Sequence, residues 1–184
     1  MILNAKNNNW RFELPRDFFK DHITERYLKI IKRLPCPYTN VRDWTNSLVQ
    51  GISWNAVDLP VVTQENLHNS QTPHRGKGNL EFSFDKTIDV TFKLSEGYIN
   101  YWLMFEHLSY FYDYTTKSED RFFKKFVVSF LDNIGYELVA IELGRVVMTG
   151  LSNLDLSFTS NIPDFKTFDV SFQFTTFEPV FRLQ

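Results

Sequence analysis

Hydrophobic and polar positions alternate strictly from Thr87 to Leu94, where Ile88, Val90, Phe92 and Leu94 interleave with Thr87, Asp89, Thr91 and Lys93. A two-residue period puts the first set on one face of a pleated strand and the second on the other, so the spacing predicts a half-buried strand. The period then changes. Ser95 and Gly97 break the alternation, and Tyr101, Met104, Phe105, Leu108, Phe111 and Tyr112 recur at helical spacing with Ser95 as the expected N-cap. A helix this aromatic must leave water, against either the apolar face of the sheet or a neighbouring subunit.

The same test organises the rest of the chain. Residues 1–20 carry NNN and ELPRDFF without a period and read as an extended N-terminal arm that needs a surface to lie on. From Asp21, Ile23, Tyr27, Ile30, Ile31 and Leu34 share a face opposite Glu25, Arg26, Lys29 and Lys32, an amphipathic helix closed by LPCP. A second short helix is expected over Thr39–Val49, capped by Thr39 and stopped by Gly51, with Trp44 and Leu48 inward. Residues 52–62 are strand-like despite Asn55 and Pro60, and 64–78 form a long polar loop or hairpin tip. Leu80, Phe82 and Phe84 alternate. Residues 122–132 then read as a strand, Asn133-Ile134-Gly135 as its turn, and 136–143 and 145–150 as a returning meander. Leu154, Leu156 and Phe158 alternate, and so do Phe168, Val170, Phe172 and Phe174 with Asp169, Ser171, Gln173 and Thr175. The expected fold is mainly β (α+β): an antiparallel β-sandwich or barrel with a flanking α-helix and short N-terminal helices, residues 21–184 being one domain.

Composition sharpens this picture. Hydrophobic residues make up 43% of the 184 and aromatics 17%, led by nineteen Phe, which excludes disorder and implies a Phe-rich β core. Cys36 is the only cysteine, so no intrachain disulfide or multi-cysteine zinc site forms. No stretch approaches the roughly 18 apolar residues of a membrane span, and the opening MILNAKNNNW lacks a signal-peptide core, so the reading is a soluble protein without a membrane partner. The net charge of −2 is uneven: residues 1–50 hold nine Lys/Arg against five Asp/Glu, the remainder eleven against seventeen. The acidic β-rich part argues against a grip on nucleic acid there, because such a grip neutralises phosphates with cations.

Chemistry is sparse. His22, His68, His74 and His107 show no metal-ligand spacing, and His107 beside Glu106 reads as a helix-surface or interface residue, since no nucleophile motif accompanies it. HRGKG at 74–78 lacks the strand and helix that frame a phosphate cradle. Cys36 between prolines reads as structural. Asp113, Glu119 and Asp120 have no visible cleft. No catalytic residue, cofactor or metal is expected, and the protein is not expected to be an enzyme.

Several segments in order, YLKIIKRLP, SLVQGISW, DVTFKLSEGYINYWLMFEHL, FLDNIGYELVAIELGRVVMTGLSNLDLSF and FDVSFQF, give the chain its character. Over residues 23–178 it resembles the tail-tube proteins of contractile-tailed bacteriophages. It departs from them in a longer N-terminus and in Asn55, where such proteins often place a Pro-Gly step.

The resemblance implies homohexameric rings that stack into a tube, with sheath and baseplate proteins as partners. DNA would pass through the bore without specific binding, in a virion tail assembled in the bacterial cytoplasm. Thr87, Asp89, Thr91, Asp169, Ser171, Gln173 and Thr175 are then candidates for the channel lining, and Tyr101, Trp102, Phe105, His74, Arg75 and Lys77 for contacts between subunits. Two alternatives stand beside the repeated tube subunit. One is a specialised tube-initiator or tail-completion ring. The other is a monomeric β-sandwich binding module with Trp44, Trp54 and Trp102 as a stacking platform.

Overall fold

A computed structural model describes residues 9–34, 38–54, 86–113, 122–154 and 166–182, together with the backbone of 61–64 and 74–77. In chain order the elements are β1 (Trp10–Glu13), α1 (Asp21–Ile31), α2 (Val41–Ser47), β2 (Val49–Trp54), β3 (Val61–Gln64), β4 (His74–Lys77), β5 (Thr87–Lys93), α3 (Ile99–Tyr112), β6 (Phe123–Leu131), β7 (Glu137–Leu151), β8 (Thr167–Gln173) and β9 (Thr176–Phe181). Seven of the strands form one antiparallel sheet in the order β1-β6-β7-β8-β5-β2, with β9 also alongside β7, while β3 and β4 pair separately. The fold is the mainly β, α+β sandwich that the alternation predicts.

The sheet becomes two layers because β7 bends. Its first half pairs with β6 and β9, its second half with β8. At the join Arg145 has φ 51°, a left-handed conformation that breaks the regular pleat. A Cβ at Gly144 would collide there with the Thr176 hydroxyl, so the close approach of β9 requires glycine. Strands that pass from one layer into the other at such bends are how sandwich corners are built. The meander expected at 136–150 is thus one bent strand.

Phenylalanine fills the space between the layers. Phe126 of β6 meets Phe172 of β8 at 5.0 Å, Phe12 meets Phe126 at 5.8 Å, and Phe92 stacks on Phe168 at 5.5 Å. α3 closes the sandwich with Leu103, Met104, His107 and Phe111 buried. α1 lies antiparallel to α3, with His22 at 5.0 Å from Tyr110 and Arg26 Nη1 at 2.9 Å from Glu106 Oε1. Burial and then a hydrogen bond to Glu106 push the Tyr27 hydroxyl up from its ordinary pKa, so that contact is with a neutral phenol.

The described part of the stretch read as an arm is built into this core. β1 pairs with β6, and Leu14, Phe18 and Phe19 are buried. α2 pins it, since Leu14 N donates to Asn46 Oδ1 (3.0 Å) and Arg42 Nε to Leu14 O (2.7 Å).

Several local expectations change. Ser95 is not the N-cap residue of α3, because a turn at 96–98 intervenes and Tyr98 takes that place in a left-handed conformation (φ 56°) next to Gly97 (φ 66°), but the Ser95 hydroxyl still accepts from Asn100 N in the first turn (3.2 Å). Asn100 holds this tight exit, donating from Nδ2 to Lys93 O (2.8 Å) and accepting at Oδ1 from Ser95 N (3.0 Å). Asn40, not Thr39, caps α2 by accepting from Arg42 N, and the chain is already strand at Val49, before Gly51. The expected strand 52–62 is β2 and, separately, β3. The polar loop 64–78 contains β4, its partner β3 reaching Gln64↔His74. Residues 65–73, Asn55, Cys36, Leu80, Phe82, Phe84, Leu156, Phe158, Glu119 and Asp120 lie outside the described residues.

Candidate functional site

The sequence-predicted channel residues are brought together. β5 and β8 pair with Thr87 opposite Gln173, Asp89 opposite Ser171 and Thr91 opposite Asp169, on the face away from the Phe core. Their sequence neighbours Ile88, Val90, Phe92, Phe168, Val170 and Phe172 are all buried, so the alternation alone assigns the two faces. Hydroxyls tie down the carboxylates across the strands, Thr91 Oγ1 to Asp169 Oδ1 and Ser171 Oγ to Asp89 Oδ1, both at 2.6 Å. β2 extends the face with Gly51 opposite Thr91 and Ser53 opposite Asp89, and β7 extends it on the other side through Val147 and Gly150. Thr175 does not sit on β8 but in the kink before β9, where its carbonyl accepts from Lys86 Nζ at 3.0 Å.

The surface that results is hydroxyl-rich and free of aromatic side chains on its β5 and β8 strands. Lys93 is the cation in the same register as its two aspartates. Its Thr91 and Ser171 hydroxyls meet carboxylates, and no His or Cys lies on the described strands that form it. Among the described residues no group of three or more His, Cys, Asp and Glu is placed to hold a metal ion.

Two other surfaces are apolar. On α3, Trp102 and Phe105 face solvent and meet edge to face (6.1 Å), whereas Tyr101 is half-buried against Phe168 (5.3 Å). His74, Arg75 and Lys77 fall on β4, whose side chains lie outside the described residues. Trp44 is buried beneath α2 at 4% exposure, so the three tryptophans do not form one exposed platform.

β9 was not legible as a strand, because Pro179 interrupts TFEPVF. Phe177 and Pro179 pair with the buried Leu143 and Ile141 and Phe181 with the half-buried Val139, yet Phe177 and Phe181 stand 43% and 67% exposed. Among the described residues no strand pairs with the other edge of β9. Arg182 N donates to Leu138 O, so in the antiparallel ladder the even-numbered residues bond to β7 and the odd-numbered ones point to the open edge. Pro179 deletes a donor in the middle of that edge and blunts it against strand addition.

His107 overturns its expected surface position. It is fully buried among Phe18 (4.3 Å), Phe111 (4.6 Å) and Phe123 (5.6 Å), and neither ring nitrogen has a hydrogen-bond partner among the described residues. Desolvation, with the Lys20 charge second, pushes its pKa down to about 3. Such an imidazole is a neutral packing group, not a base for chemistry at the surface. The signal that could have found it is its helical spacing from Leu103, Met104 and Phe111.

No protein-family model and no curated protein sequence matches the chain. Solved structures do. A chain in the cryo-EM structure of the anti-feeding prophage (AFP) baseplate, 6-fold symmetrised, is similar at 11% identity and a TM-score of 0.54, covering 98% of this chain and 97% of that one. The anti-feeding prophage tube terminating cap gives 12% identity, 73% and 80% coverage and a TM-score of 0.49. The sheath-tube complex of the PVC extracellular contractile injection system in its extended state gives 14%, 73%, 81% and 0.48. At such identities the first likeness shows a shared fold, end to end.

Proposed function

We propose that this chain is a non-enzymatic wall subunit of a ring in a contractile, phage-tail-like particle, with the polar face of β2, β5, β8 and the second half of β7 lining a central channel. The observation that carries the reading is that continuous face. Its hydroxyl-tied carboxylates run on one side of a Phe core, a wall that is wet on one side and packed on the other. A surface poor in cations gives phosphates nothing to hold, so a polyanion such as DNA slides past it. Among the described strands of the large sheet, the blunted β9 edge leaves β1 and β2 as outer strands for neighbours to meet, and ring closure removes the hazard that an open edge carries.

The end-to-end fold likeness to a chain of a 6-fold symmetrised baseplate supports a six-membered ring and favours the baseplate end of the tube, as an initiator, over the repeated tube subunit. Sheath and baseplate proteins are then its neighbours in the particle, and other rings stack upon it. The particle would be assembled in the host cytoplasm.

Negative-stain microscopy with sedimentation of the purified protein tests this reading. Rings are expected, and Asp169→Cys in a Cys36→Ser background should react with a small maleimide but not with a bulky polymer-linked one once rings have formed. A persistent monomer at high concentration, or rings whose residue 169 takes the bulky reagent, sinks it.

A further inference from the structure

The outer face of the α1–α3 pair has the makings of a second site. The antiparallel contacts His22–Tyr110 and Arg26–Glu106 fix the register, and one further helical turn brings Ile30 level with Trp102. Ile30, Trp102 and Phe105 stand 38%, 50% and 49% exposed, a short apolar row where two helices meet. Cations gather at the same end, Lys29 in the last turn of α1 and Lys32 and Arg33 in the turn just past it. Arg26 is held by Glu106, while the exposed Lys29, Lys32 and Arg33 form no ion pair among the described residues, and the acids Asp21 and Glu25 lie toward the other end of the helix. Cations at a helix C-terminus complement its dipole, which accounts for their sign but not for the aromatic row beside them.

We infer that this face docks an acidic amphipathic helix of a different protein. A groove between two helices takes a third through anchors at i, i+3, i+4 and i+7, and a basic rim selects an acidic flank. A second copy of this chain is a poor occupant. Its described helices are α1, whose acids Asp21 and Glu25 are balanced by Arg26 and Lys29, the seven-residue α2 with Asp43 its single acid, and the aromatic α3 with Glu106 its single acid, so none offers a wholly acidic face. Nucleic acid is disfavoured because Trp102 and Phe105 meet edge to face at 82°, which leaves no pair of parallel ring faces for bases to stack on. The site does not depend on the channel reading, since the polar sheet face takes no part in it.

The test uses the full chain and three fluorescent probes: an 18-residue amphipathic helix with Glu on its polar face, the same helix with Lys, and a single-stranded oligonucleotide. The Glu helix should bind best, and either Trp102→Ala with Phe105→Ala or Lys29→Glu with Lys32→Glu and Arg33→Glu should weaken it roughly tenfold or more. The charge-reversed variant should then prefer the Lys helix, a gain that no misfolded protein would show. Circular dichroism confirms that each variant is folded. Equal binding of the Glu and Lys helices, no binding of the Glu helix, or tighter binding of the oligonucleotide overturns the proposal. Rings without peptide binding would defeat this site alone, and peptide binding without rings would defeat the channel alone.

Discussion

β8 and β9 follow one another in the chain, pair with the same strand and alternate phenylalanine in the same way, yet they end in opposite environments. Phe168, Phe172 and Phe174 are buried, whereas Phe177 and Phe181 are exposed. The difference lies in what covers them. β8 is flanked by β5 and faces Phe126 and Phe18 across the core, while β9 pairs with β7 alone, and no described strand pairs its free edge. Alternation therefore assigns a residue to a face but does not supply the lid for that face. Where one chain fails to supply it, an apolar face with a blunted edge is the mark of a surface completed by another chain.

The largest effect belongs to the covered strand. Phe172 packs on both Phe126 and Phe18, so Phe172→Ala should cost about 3–5 kcal/mol in urea unfolding, enough to leave little folded protein in a domain of ordinary stability. A loss under about 1 kcal/mol would mean that the two layers do not pack as the ring contacts indicate.

His107 sharpens the comparison from inside, being a polar group that the cover has sealed in. Its folded pKa is about 3 against an ordinary 6.5. Between those values the unfolded chain takes up a proton that the folded chain refuses. Stability is therefore full above pH 6.5 and falls as pH drops through the window, by at most about 1.4 kcal/mol per pH unit. His107→Phe should remove that part of the acid sensitivity, read as a urea midpoint that changes less between pH 7 and pH 4.5 than that of the parent. Parallel pH profiles would show that the imidazole is not sealed.

A smaller effect is expected at the bend that separates the two environments. Gly144→Ala drives a methyl group into the Thr176 hydroxyl and should cost about 1 kcal/mol or somewhat more. Thr176→Ala in the same chain should restore most of it, because the remaining Thr176 Cβ contact at 3.6 Å is an ordinary one. Additive losses in this cycle would show that Gly144 is required for another reason.

What was legible in the sequence follows the same division. The period-two faces of β5 and β8 gave the polar face for six of its seven expected residues, Thr175 falling past the end of β8, because a strand with one buried face has no other register. β6 and its turn were equally plain, Asp132 accepting from Ile134 N and Tyr136 N at 2.8 Å beside Gly135 at φ 98°. α3 was legible as a helix but not in its facing: with both sides apolar it carries no polar stripe to orient it, so exposed Phe105 and Tyr112 shared one predicted stripe with buried Met104 and Phe111, while the buried His107 was read as a surface or interface residue. Residues 10–19 have no period of their own, because their order comes from pairing with β6 and from the Arg42 and Asn46 contacts. Pro179 hid β9, since a proline that is tolerated only on an edge reads locally as a strand breaker.

The smallest expected change in stability is the most discriminating. Phe177→Ser with Phe181→Ser removes two exposed rings, so the isolated subunit should keep its unfolding midpoint to within about 0.5 kcal/mol. If another chain covers β9, the same double change should shift sedimentation at high concentration from rings toward single subunits, because each ring lost from an interface core costs far more there than it does in water. Pro179→Val separates the two ways of making that contact. Restoring the missing donor should promote uncontrolled strand addition and aggregation if the edge is merely blunted. Unchanged solubility together with unchanged ring formation would show that β9 lies against nothing, and that its resemblance to β8 ends at the pattern.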